Sequence, residues 1–164
     1  MKLLTFQLAQ REAALTSGER YVVPWTCVEQ AWLPAYRWLV AVWEGRSGEA
    51  VNSAPVWCWQ RLAGDVSVAD CALELFSEAD RQAGILMLEL DVPPSMVLLS
   101  SYSAWNDLLY GLIGNGDVPA GEACRSMFDV GHLDDGNDAV QAIIPFIEPA
   151  WIISMVRMNL PAAT

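Results

Sequence analysis

The sequence predicts a single α+β domain over residues 1–164, with a mixed sheet of about five or six strands and several helices. Three observations predict it. A chain of 164 residues is long enough to close one core and short for two. Hydrophobic residues make up 54%, which supports an ordinary core and excludes global disorder. Helical and strand patterns alternate early in the chain, and two strand patterns close it.

Taken in order, Leu3 to Phe6 is a short apolar run that fits a first strand. Leu8 to Leu15 has helical composition, and Gly18 is placed to end it. Pro24 biases Val23 toward extended geometry, so Tyr21 to Val23 is extended. Thr26 and Glu29 have the spacing of a capping box. A helix is expected from there to about Trp43, kinked or divided at Pro34, with a loop over Gly45 to Gly48. Ala54 to Trp59 fits a strand with a proline near its start. Val68 to Ser77 is helical by the spacing of Ala69, Ala72, Leu73 and Phe76. Ile85 to Leu90 fits a buried strand and Met96 to Leu99 a further one. Ser100 or Ser101 can cap a helix over Tyr102 to Ile113, which Gly114-Asn115-Gly116 ends. Glu122 to Phe128 is a short helix candidate, and Leu133 to Asp138 an acidic turn. Ala139 to Ile147 and Trp151 to Met158 form a final strand pair.

The net charge of -11 is uneven. Residues 65–148 hold fifteen acidic and two basic side chains, whereas residues 1–64 hold five and six. This balance argues against direct nucleic-acid binding, which needs a basic surface. Asp134, Asp135 and Asp138 mark a candidate face for a basic protein partner. The apolar start of the chain is interrupted at Gln7 and ends at Gln10-Arg11-Glu12. The longest uncharged stretch contains Pro93 and Pro94 and is too short to span a bilayer. The expectation is a cytoplasmic protein without membrane association.

The usual motifs of chemistry are missing from the sequence. His132 is the only histidine, so every Ser–His or Cys–His arrangement would have to use it. The four cysteines are scattered without metal-ligand spacing, so no metal is expected and buried thiols are. The acidic run lacks the alternation and closing glutamate of a calcium loop. No phosphate-binding glycine motif occurs. Eight tryptophans stand out, six of them between Trp25 and Trp59. Trp32, Tyr36 and Trp43 share a helical face by spacing. Trp57 and Trp59 share a strand face, so both belong to the core or both line a cleft.

Several segments in consistent order resemble the bacterial and phage family catalogued as domain of unknown function 3841. They are Met1 to Gln7, Tyr36-Arg37-Trp38-Leu39, Pro55 to Trp59, Leu88 to Leu90 with Val97 to Ser100 and then Trp105, Met127-Phe128-Asp129, and Val140-Gln141-Ala142. That family has no assigned activity. A remoter similarity is to the ADP-ribosyltransferase superfamily: a first strand with a polar pair, an aromatic middle and a late strand with one key polar residue. The resemblance implies NAD held in a cleft between two sheet halves, with Thr5 and Gln7 lining the nicotinamide side. It also implies that Gln141 stands where active members keep a glutamate.

Two functions are therefore expected. The first is a non-catalytic intracellular binding or regulatory protein whose acidic second half contacts a basic protein partner, in the manner of a phage inhibitor of host defence. It needs no cofactor. The second is an NAD-binding, ADP-ribosyltransferase-like enzyme. Its candidate cleft is Thr5, Gln7, Trp57, Trp59, Ser100 and Gln141. The alternation of these polar residues with apolar neighbours predicts that they converge on one face. A pocket holding Trp57, Trp59 and Gln141 favours a ligand, and a flat acidic face favours a protein partner.

Overall fold

The structure, a computed structural model, describes residues 1–115, 124, 126–131, 133 and 138–160, with backbone only for residues 112–115. The expected helix over Glu122 to Phe128 and the acidic turn before Asp138 fall mostly outside the described residues, as do His132, Asp134 and Asp135.

Six strands form one sheet: β1 (Lys2–Leu8), β2 (Val56–Arg61), β3 (Ile85–Asp91), β4 (Leu98–Ser101), β5 (Val140–Ile144) and β6 (Ile152–Met158). Their order is β4-β5-β2-β1-β3-β6. The strand number agrees with the sequence, but the sheet is not mixed, since all five pairings are antiparallel. The last two strands do not pair with each other. The turn through Pro149–Trp151 carries the chain to the far edge, where β6 adds to β3.

Helices α1 (Glu12–Leu15), α2 (Leu33–Ser47), α3 (Val68–Leu75), α4 (Glu78–Ala83) and α5 (Tyr102–Asn115) pack with the sheet. The capping box expected at Thr26 does not form. Val28 is extended, which breaks the turn after a single 3-10 segment at Trp25–Cys27. Pro34 then opens α2 instead of kinking it, because its missing N–H costs nothing in a first turn. The expected loop after Trp43 is helical up to Gly48, whose left-handed φ of 74° ends α2. Ser67 caps α3, and Ser77 forms with Asp80 a capping box that starts α4.

Alternation along the strands divides the core between the two faces of the sheet. Leu3, Val56, Cys58, Leu86, Leu88 and Ala142 pack on one face with Leu15, Tyr21 and Ile147. On the opposite face, Leu98 and Ile143 pack with Leu39 and Trp43 of α2 and Trp105 of α5. Phe6 and Ile85 pack there with Cys71 and Ala72 of α3.

The sheet is weakest at its middle. β1 and β3 register through seven Cα pairs, whereas β1 and β2 register only at Leu4 with Trp59. Just beyond that pair, Thr5 Oγ donates to Trp57 O at 2.7 Å, a side chain in place of a ladder bond. The domain is thus two three-stranded halves, β4-β5-β2 and β1-β3-β6, that part at their seam.

Candidate functional site

A cavity of about 630 Å³ lies at this seam. Both parting strands line it, through Phe6 and Gln7 of β1 and Val56 to Trp59 of β2. α2 supplies Tyr36, α5 supplies Tyr102, Trp105 and Tyr110, and the segment before α2 supplies Trp32. The volume is in the range of small-molecule sites.

The cavity walls are aromatic and packed ring on ring. Trp57 lies 5.1 Å from Trp105 and 5.4 Å from Tyr36 between ring centroids, and Trp59 lies 5.0 Å from Tyr102. Trp57 and Trp59 are half-buried in the same cavity. Each also packs against the core, Trp57 beside Leu39 and Trp105 and Trp59 beside Phe6 and Cys71, so the pair joins the two expected surroundings. Trp43, by contrast, is core, and its indole N–H is spent on Met96 O at 3.0 Å.

Gln141 lies opposite Trp59 on one side and Ser100 on the other. It lines the cavity, is 4% exposed, and its Nε2 has no hydrogen-bond partner. Trp57 Nε1 is in a similar condition: it faces the Tyr36 phenol without closing a hydrogen bond to it. A buried donor without an acceptor costs about 1–3 kcal/mol. Two such donors lie in one aromatic cavity, and buried donors of this kind are uncommon in folded proteins. Burial pushes the Tyr36 phenol up to about 12, the nearby Trp57 indole N–H pulls against this and the Glu29 carboxylate adds a smaller rise, so at neutral pH the ring is uncharged.

Of the six cleft residues expected from the sequence, Gln7, Trp57, Trp59 and Gln141 line the cavity, and Thr5 and Ser100 do not. The registers Leu4–Trp59 and Trp59–Gln141 put Leu4, Trp59, Gln141 and Ser100 on one face of the sheet, and alternation puts Thr5 and Gln7 on the other. Thr5 is fully buried and tied to Trp57 O. Gln7 borders the cavity where the strands part, yet its side chain is spent elsewhere. Its Nε2 donates to Thr5 Oγ at 3.2 Å, and its Oε1 accepts from Tyr21 Oη at 3.3 Å. Ser100 is buried beside Gln141 but does not line the cavity among the described residues. The β1 side chain that enters the cavity from the face of Gln141 is Phe6. A one-residue error in parity separates the two readings, and nothing in a run of two polar residues fixes which side faces the cleft.

Asp138 is not a free partner residue. Its Oδ2 accepts from Ser103 Oγ at 2.9 Å and from Ser101 Oγ, and its Oδ1 accepts from Ser103 N at 3.2 Å. Together with Ser101 Oγ, which accepts from Ala104 N, it closes the N-terminus of α5. The thiols also divide: Cys58, Cys71 and Cys124 are buried as expected, but Cys27 is exposed at the cavity and accepts from Arg11 Nη2. Among the described residues no group of acidic, histidine and cysteine side chains could hold a metal ion, and no helix is long and apolar enough to cross a membrane.

Sequence reasoning missed Tyr102, Trp105 and Tyr110 as cavity residues. Their helical spacing was legible, but their arrival opposite β2 depends on nonlocal strand order. No family model, curated protein or solved structure matches the chain.

Proposed function

We propose that the protein is a non-catalytic binding protein for a small planar ligand that carries a hydrogen-bond acceptor. The observation that carries this reading is the Gln141 amide, buried without a partner for its N–H in an aromatic cavity. A ring carbonyl or carboxamide oxygen would satisfy the Gln141 and Trp57 donors, while the ring stacks on the walls. The cavity lies where two half-sheets part, the place where the ADP-ribosyltransferase resemblance puts NAD. A nicotinamide ring is accordingly one ligand of the right chemistry. Gln141 supplies no carboxylate, so the expected activity is binding, with transfer or hydrolysis slow.

The test is tryptophan fluorescence titrated with nicotinamide and with adenine, in the native chain and in Gln141→Met. Quenching in the native chain and a loss of affinity of about tenfold or more in the variant are expected, the worth of one hydrogen bond to a desolvated donor. Equal affinity in the two chains would remove Gln141 from the site, and no quenching by either compound would end the small-molecule reading.

A second reading, docking of a basic protein, is supported by the charge of the α3–α4 edge. Asp65, Asp70, Glu74 and Glu78 are exposed there. The one arginine of that segment, Arg81, turns its Nη1 onto Leu73 O and Phe76 O, so its charge is drawn into the corner between the helices. A partner captured through this edge should associate more slowly as salt is added, and more slowly again with Asp65→Asn and Glu78→Gln. Salt-independent capture would count against it.

A further inference from the structure

We propose that the seam cavity selects an organic cation and rejects phosphate-bearing ligands; this rests on the reading of the cavity as a small-molecule site. Among the described residues that line it there is no lysine, arginine or histidine, and the one carboxylate is that of Glu74. Glu74 is also shared with a smaller adjoining pocket lined by Leu62, Val66 and Leu75, so the carboxylate stands where the two spaces meet.

The walls themselves favour positive charge. Trp32, Tyr36, Trp57, Trp59, Tyr102 and Trp105 present ring quadrupoles whose faces are negative. The described arginine–ring contacts all go elsewhere: Arg20 to Phe146, Arg37 to Trp25 and Arg46 to Phe128. The cavity's own rings have no internal cation among these. Arg11 comes near only through Cys27, to whose sulfur it donates.

Anion recognition has no ready means here. Two helix ends meet the cavity: that of α5 at Tyr102 is closed by Asp138 and Ser101, and that of α2 at Trp32 has no side-chain cap but carries Pro34, which brings no N–H to its first turn. A phosphate would meet the Glu74 carboxylate where an anion site would place a guanidinium. The Gln141 and Trp57 donors meanwhile ask for a neutral acceptor oxygen on the same ligand. The ligand class is therefore a planar, N-alkylated heterocyclic cation that bears a carbonyl group.

The experiment titrates tryptophan fluorescence with three matched probes: 1-methylnicotinamide (a cation), nicotinamide (neutral) and nicotinamide mononucleotide (phosphate-bearing). The expected order of affinity is cation, then neutral, then phosphate, with about tenfold between the first two, the scale of a desolvated cation–π contact. Glu74→Gln should shrink the gap between the cation and the neutral probe, whereas a merely structural role of Glu74 would lower both affinities together and keep the gap. Equal affinities for cation and neutral probe, or tightest binding of the mononucleotide, would overturn the charge preference while the cavity reading stands. Failure of all three to bind would overturn both.

Discussion

Gln141→Met should make the protein more stable as well as unable to bind. The variant keeps the side-chain length and removes a donor that has no acceptor in the free protein, so a gain of about 1 kcal/mol is expected. Thermal denaturation without ligand measures it, and a lower midpoint would mean that the amide has a structural partner. The thiols make a second prediction at this scale. Burial pushes Cys58 up to about 12 and Cys71 up to about 11, from an ordinary 9.0. Each is held in its neutral form by the fold, so in alkali the unfolded chain binds fewer protons than the native one. The stability they contribute is fully present below pH 9 and is lost as the pH rises toward 11 to 12. Denaturant midpoints measured between pH 8 and pH 11 should fall, and Cys71→Ala should flatten part of that fall.

The N-terminus of α5 shows how side chains fix an element. Ser101 was legible as a cap, because a serine before an apolar helical run has an oxygen for the free N–H groups. Asp138 was not, since it arrives from 37 residues further on to accept from Ser101 and Ser103. Asp138→Ala should cost about 1–2 kcal/mol, read from chemical denaturation, whereas neutralising an exposed partner residue would cost almost nothing. The strands were readable from their apolar runs, and α3 from its period. The order of the strands was not, because antiparallel pairing between segments far apart in sequence leaves no local mark. For the same reason Trp57 and Trp59 could be grouped by alternation within one strand, while the place of Gln141 opposite Trp59, and of Thr5 and Gln7 on the other face, depended on register. Where Thr26 and Pro34 competed to start α2, the proline decided the boundary.

At the scale of the whole molecule the seam sets the pattern of protection. β1 is bonded along its length to β3 and at one registered position to β2. Amides of β1 that face β2 should exchange hydrogen faster than those that face β3, and a ligand in the cavity should slow them. Uniform protection on both sides of β1 would mean that the two halves are one continuous sheet.

The interleaving of the halves has a consequence for synthesis. One half takes the second, fourth and fifth strands and the other takes the first, third and sixth. A chain emerging from the ribosome therefore completes neither half early. Until residue 144 has been made, β2 and β4 leave between them an open slot for β5, whose five residues are all buried in the finished protein. During that interval the slot offers two unpaired strand edges to any neighbouring chain. Products terminated just before β5 should consequently be the ones that aggregate, and co-translational quality control would meet this protein at that point.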